Sequence, residues 1–373
     1  MVEPLKRFGF IVNPIAGMGG RVGLKGTDGE ETLRRALELG AKPIAPIRAV
    51  ETLRGLKPIS YAIELVTYPR EMGEVEAHEA GIPPSIIGSI TPSKTTAEDT
   101  KRAAKEMMEI GVDIIVFVGG DGTARDICSV VKTDIPVLGV PAGVKVHSAV
   151  FAIDPEGAAR LLTSFVQTGL PLTRAEVMDI DEEAFRMGRV SARLFGHMLV
   201  PFEVDLIQPT KLSSPTTSEE KERQLAIARY IVENMEPDTI YILGPGTTVN
   251  TIAEVLKIRK SLLGVDLVWN GRLLGLDVNE RQILSRIKGE KAKVIVTPIG
   301  GQGFIFGRGN QQISPAVLRT VGKENVIVVA TPSKLQGLKK LRTDSGDPEV
   351  DRLFKSQIHV VIDYDRKQIM EVE

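Results

Sequence analysis

The sequence predicts an α/β fold: a Rossmann-like first lobe built on a parallel sheet, then a second α/β or β-rich lobe. Three observations carry this. Short β-branched apolar runs alternate with helix-period segments, the pattern of parallel strands covered by helices. Several of those runs exit into glycine-bearing loops. The chain, at 373 residues, is longer than one hydrophobic core usually organises. A boundary is placed at 172/173, giving lobes 1–172 and 173–373, with the C-terminal tail free to return to the first lobe.

Phe8 to Val12 reads as the first strand, and its exit from Asn13 to Gly20 is a glycine-rich loop. Leu33, Ala36 and Leu37 sit at helical spacing between Glu30 and Leu39, with Gly40 as the stop. Tyr61 to Thr67 reads as a second strand. The run Thr95-Thr96-Ala97-Glu98 offers a capping box for a helix that ends before Gly111. Asp113 to Val118 is nearly all apolar, as in a strand buried on both faces, and Gly119-Gly120-Asp121-Gly122-Thr123 leaves its carboxyl end. A helix through Asp126 to Val131, a strand at Pro136 to Val140 and a helix opened by Asp154-Pro155 follow.

Residues Glu176 to Phe202 show no clear period, and Gln208 to Glu219 reads as an exposed loop. After a charged helix at Glu219 to Asn234, the grammar of the first half returns. Thr239 to Leu243 is a strand, Gly244 to Thr248 a tight loop and Asn250 to Ile258 a helix. Asn270-Gly271 predicts a hairpin turn, because it supplies two positive φ angles. Lys293 to Thr297 and Val326 to Ala330 are further strands, the first leading into the glycine-dense stretch Gly300 to Gly309. Ile358 to Val372 reads as a hairpin around Asp365-Arg366.

Lys plus Arg number 47 against 48 Asp plus Glu, so no global field draws the chain to nucleic acid or an anionic membrane. An anionic ligand has to be held locally. One cysteine, Cys128, excludes an intrachain disulfide framework and a cysteine-only zinc site, and fits the cytoplasm. The segment Met1 to Arg7 with Phe8 to Val12 is too short and wrongly flanked for a signal peptide, and no apolar run approaches the roughly 20 residues of a membrane helix. A homo-oligomer remains open.

Four glycine-bearing loops follow strands: Asn13 to Gly20, Gly119 to Thr123, Gly244 to Thr248 and Gly300 to Gly309. In open α/β sheets ligands bind beyond the carboxyl ends of strands, and glycine lets backbone amides approach a phosphate. Any single glycine loop is equally explained as a chain turn. The Gly119 to Thr123 loop says more, because it sets a carboxylate between glycines with little local cover. Asp121 there serves either as proton acceptor for an attacking hydroxyl or as a magnesium ligand. No segment supplies the Walker A pattern, and Gly17-Met18-Gly19-Gly20 has the wrong spacing for a dinucleotide fingerprint. Cys128 and Trp269 are read as structural, and His147 as structural or as a support behind the phosphate-binding residues.

These residues resemble the superfamily of NAD kinases, diacylglycerol kinases and 6-phosphofructokinases, and within it the ATP-NAD kinase/AcoX-type family. The resemblance rests on Gly119 to Thr123, on Asn13-Pro14 with Gly17 and Gly19, and on the segments Gly20 to Gly29, Gly139 to Lys145, Gly244 to Thr248 and Gly300 to Gly303. It implies an NAD kinase-like fold with the site between lobes. It further implies ATP or polyphosphate as donor, Mg2+ or a similar divalent cation, and transfer to the 2′-hydroxyl of NAD. Asp121 is then the base, with Gly119, Gly120, Gly122 and the Thr123 hydroxyl on donor phosphates. Asn13, Gly17, Gly19, Gly143, Gly244, Gly246, Thr247, Thr248, Gly300, Gly301 and Gly303 join the nucleotide site, and Lys145 and Arg308 are candidates for stabilising phosphate charge. The metal ligands stay unassigned. The family's Gly-Ser-Thr-Ala-Tyr segment is replaced here by Gly246-Thr247-Thr248-Val249-Asn250, and its Asn-acidic pair by Asp179 and Asp181 as the candidates for holding the acceptor. The family's second lobe is β-rich, whereas the sequence after Thr239 reads strand, loop, helix. Another acceptor hydroxyl, on a lipid, polyol or small metabolite, and a nucleotide sensor without turnover are the alternatives.

Overall fold

The computed structural model describes residues 5–24, 30–91, 95–142, 146–180, 192–203, 206–207, 217–299 and 303–373. The chain forms two compact units, Met1–Met18 with Gly26–Lys211, and Gly19–Lys25 with Leu212–Glu373. The sequence boundary at 172/173 lies within the first of these.

The first unit is built on five parallel strands: β1 (Lys6–Val12), β2 (Ile63–Thr67), β3 (Ser85–Ile86), β4 (Ile114–Gly119) and β5 (Val137–Pro141), in the order β3-β2-β1-β4-β5. Period-two alternation sorts their side chains onto two faces. Phe8, Phe10, Ile114, Val116 and Leu138 join one core cluster, with residues from α2 (Ala45–Leu56) and α6 (Pro155–Gln167). Ile11, Ile115, Phe117 and Val137 join the other, with α4 (Ala97–Glu109) and α5 (Asp121–Val131). Helix α1 spans Glu30–Glu38 and α3 spans Glu74–Ala80.

Three local features differ from the sequence reading. Helix α4 is capped one residue later than expected: the Asp99 carboxylate accepts from the Thr96 amide and hydroxyl, each at 2.8 Å. Helix α5 begins at Asp121 rather than at Asp126, because the Gly120 carbonyl already accepts from the Ala124 amide at 3.0 Å. The stretch without clear period is a long antiparallel hairpin, β6 (Leu172–Ile180) and β7 (Ala192–Pro201). It buries Ala175, Val177, Met198 and Val200 in the same cluster as α4 and α5.

The second unit holds a pair of short strands, β12 (Phe304–Phe306) with β14 (Arg342–Thr343), and a seven-stranded sheet in the order β10-β9-β8-β11-β13-β15-β16. Its central strands β8 (Thr239–Leu243), β11 (Lys291–Val296), β13 (Val326–Val329) and β15 (Gln357–Asp363) are parallel. Both edges are closed by antiparallel hairpins, β9 (Asp266–Trp269) with β10 (Arg272–Gly275), and β15 with β16 (Arg366–Glu371). Asn270 and Gly271, at φ 48° and 72°, make the turn that Asn-Gly predicts. Helices α7 (Ser218–Glu233) and α8 (Thr247–Leu256) contribute to the cluster on one face of the sheet, around Tyr241, Ile295 and Val329. The strand, loop, helix reading after Thr239 therefore stands beside a β-rich lobe in one sheet. Among the described residues, no helix is long and apolar enough to cross a membrane.

Candidate active site

Strand order in the first unit reverses between β1 and β4, with β2 and β3 on one side and β5 on the other. That switch point is where neighbouring loops diverge and leave a crevice at the carboxyl ends of the strands. The loops leaving β1 and β4 are Asn13 to Gly17 and Gly119 to Thr123, so the fold brings together two segments more than a hundred residues apart. The Asn13 amide donates to the Val118 carbonyl at 3.0 Å, and Asn13 Nδ2 donates to Thr123 Oγ1 at 2.9 Å. Thr123 is 3% exposed, and its hydroxyl oxygen joins the two loops. Gly119 is required by this contact, since a Cβ there would lie 2.4 Å from Thr123 Oγ1. Gly17 has φ 81°, and a Cβ on it would stand 1.9 Å from the Ala142 carbonyl oxygen.

Asp121 is the first residue of α5, with Gly120 as N-cap. The amides of Asp121, Gly122 and Thr123 belong to the first helical turn, where no intrahelical carbonyl meets them and the helix dipole favours an anion. The carboxylate is not bare, contrary to the sequence reading. Its Oδ1 accepts from the Ser148 hydroxyl at 2.6 Å, from the Ser148 amide at 2.9 Å and from the His147 amide at 3.1 Å; Oδ2 accepts from the His147 amide at 2.8 Å. Ser148 Oγ in turn accepts from the Met178 amide of β6 at 2.9 Å. Sequence reasoning missed Ser148, because nothing in a serine 27 positions downstream marks it as the partner of a loop aspartate.

Asp179, one residue further along β6, was the candidate for holding the acceptor. Its Oδ1 accepts from Arg125 of α5 at 2.9 Å, and its Oδ2 from Arg193 of β7 at 2.8 Å. Burial raises its pKa, but the hydrogen bonds from Arg193 and Arg125 outweigh that and hold the carboxyl below its ordinary value. Its charge is thus answered within the unit, and it fastens the hairpin to α5. Asp181 lies outside the described residues, as do Gly143, Lys145, Gly300 and Gly301.

The remaining candidates belong to the second unit. The segment Gly19–Lys25 is part of it, and there the Leu24 amide donates to the Gly19 carbonyl at 2.9 Å. Thr247 and Thr248 form the first turn of α8 behind Gly246, whose φ is 114°. Thr247 is exposed, whereas Thr248 is 1% exposed and its Oγ1 has no hydrogen-bond partner among the described residues. The Gly244 amide continues the sheet by donating to the Ile295 carbonyl at 2.8 Å. Gly303, at φ 77°, accepts from the Arg342 amide at 2.9 Å and packs too closely on the Lys340 carbonyl for a side chain. The guanidinium of Arg308, a candidate for stabilising phosphate charge, is buried, donates to Asp344 Oδ2 at 2.9 Å and lies 5.0 Å from the Phe304 ring centroid. Among the described residues no three His, Cys, Asp or Glu side chains group to hold a metal ion.

None of the curated proteins matches this chain. Among solved structures, a UDP-N-acetylglucosamine 2-epimerase is similar at 11% identity, over 98% of this chain and 80% of that one. Its TM-score of 0.26 is too low to support an argument. Two family descriptions match along most of the length: the ATP-NAD kinase N-terminal domain over residues 8–170, and the ATP-NAD kinase C-terminal domain over residues 236–372. The first spans both loops of the switch point and the Asp121 carboxylate; the second spans the parallel strands of the other unit. The chain belongs to the ATP-NAD kinase family, a family of phosphotransferases.

Proposed function

We propose that the chain transfers a phosphoryl group from ATP or polyphosphate to the 2′-hydroxyl of NAD, giving NADP. The observation that carries this is the Asp121 carboxylate, fixed by three donors on the first turn of α5 at the switch point of a parallel sheet. The hydroxyl oxygen attacks the terminal phosphorus of the donor. The bond from that phosphorus to the leaving phosphate oxygen breaks, and the hydroxyl proton passes to Asp121. Such transfers proceed through loose transition states in which positioning and charge neutralisation matter most. An oriented carboxylate beside open helix amides supplies both needs. A divalent cation such as Mg2+ neutralises phosphate charge in this chemistry and is usually held by one or two carboxylates together with the phosphates themselves.

The test incubates purified protein with Mg2+, NAD and either ATP or polyphosphate, and follows NADP. Asp121→Asn should lower kcat by roughly 100- to 10,000-fold, the usual worth of a positioned general base, while nucleotide binding persists. Turnover that survives Asp121→Asn removes the role of this residue. Consumption of ATP that depends on some other hydroxyl compound, with no NADP formed, replaces the acceptor.

A further inference from the structure

We propose that Ser148 is a positioning residue for the transfer, its hydroxyl aiming the Asp121 carboxylate at the acceptor hydroxyl. This rests on the reading of Asp121 as proton acceptor. Ser148 is 1% exposed, so its single hydroxyl proton has no water to turn to. The Met178 amide donates into Ser148 Oγ at 2.9 Å and occupies its acceptor side. The proton is thereby directed to Asp121 Oδ1, 2.6 Å away, and an ionised carboxylate can only accept. The Ser148 and His147 amides fix the same carboxylate from the same segment, at 2.9 Å and 2.8 Å.

The device has an origin outside the Gly119 to Thr123 loop. Met178 lies on β6, whose next residue, Asp179, is tied to Arg125 one helical turn beyond Asp121. Two links thus join β6 to α5: one through Ser148 to the carboxylate, the other through Asp179 to the helix. The hairpin acts as the brace that sets the carboxylate's rotation. A carboxylate rotated out of line still carries its charge but no longer meets the attacking hydroxyl squarely, and misplacement of this kind is paid in kcat.

The test is a double-mutant cycle on the full chain with Ser148→Ala, Ser148→Cys and Asp121→Asn, following NADP formation with saturating donor. Ser148→Ala should lower kcat on the order of ten- to a hundredfold, the worth of one hydrogen bond to a charged group, with KM for NAD and donor within about twofold. Ser148→Cys, close in size but a weak donor, should show the same split, so a folding defect in the alanine variant does not decide the matter. In the Asp121→Asn background, replacing Ser148 should cost nothing further, because the group it aims is gone. Equal losses in both backgrounds, or a rise in KM with kcat unchanged, overturn the proposal. Full turnover in Asp121→Asn alone sinks the reading beneath it, and that result is separate from either.

Discussion

Glu76, on α3, is 2% exposed, and its Oε2 has no hydrogen-bond partner among the described residues. Burial pushes its pKa from the ordinary 4.5 up to about 7, with the charges of Glu71 and Glu79 adding to the rise and the backbone amides of Glu76 and Gly73 opposing it. Between those two values the folded chain keeps a proton that the unfolded chain has released. Stability therefore falls as pH rises through that window and levels off above it, by at most about 3 kcal/mol. Glu76→Gln carries no titrating group, so its urea midpoint should be nearly flat between pH 5 and pH 8, and higher than wild type at pH 8. An unchanged slope in the variant would assign the pH dependence elsewhere. The same residue-scale reasoning separates Asp121 from Glu76: both are carboxylates on a first helical turn, but one is given three donors and the other is left short.

At the scale of elements, the strands and the loops after them were legible because buried parallel strands leave long apolar runs and glycine marks their exits. β4 and β8 are each buried at every position, and both were read to within a residue. The hairpin β6–β7 was not legible: Ala175 and Val177 do alternate with charged residues, but apolar Met178 in β6 and Leu194, Phe195 and Leu199 in β7 break the period of two around the inward Met198 and Val200. The hidden half of the site follows from that failure, since Ser148 and Met178 take meaning only when β6 is laid against α5. The loop entering β9 hid another feature. Lys260 and Asp266, each 1% exposed at the side chain, are paired at 3.1 Å, and Asp266 also accepts from the Ser261 and Asp277 amides and the Ser261 hydroxyl. Burial pulls the Lys260 pKa down, and Asp266 pulls it back up without restoring it. Removing one partner leaves a buried charge, so Lys260→Met should destabilise its unit by about 3–5 kcal/mol, whereas Lys260→Met with Asp266→Leu should recover part of that loss. Urea unfolding of the single and double variants measures the difference. A double variant as unstable as the single one would show that packing, not the stranded carboxylate, sets the cost.

For the whole molecule, the two units have separate interiors. The core clusters around Phe8, Phe10 and Phe117 draw on residues 8–206, and those around Ile242 and Leu243 on residues 227–372, with no member in common. Chains of several domains commonly depart from a single cooperative transition. The single tryptophan, Trp269, lies on β9 and so reports the second unit alone, while far-UV circular dichroism reports helices and strands of both. With separate interiors, Lys260→Met should lower the urea midpoint seen by tryptophan fluorescence and shift only part of the dichroism curve. Glu76→Gln at pH 8 should do the reverse, moving the dichroism curve in part and leaving the fluorescence midpoint in place. Coincident shifts in both signals for both variants would show that the units unfold as one. In that case the loss from Lys260→Met would also weaken the framework around Asp121, and stability would have to be matched before any kcat comparison is read.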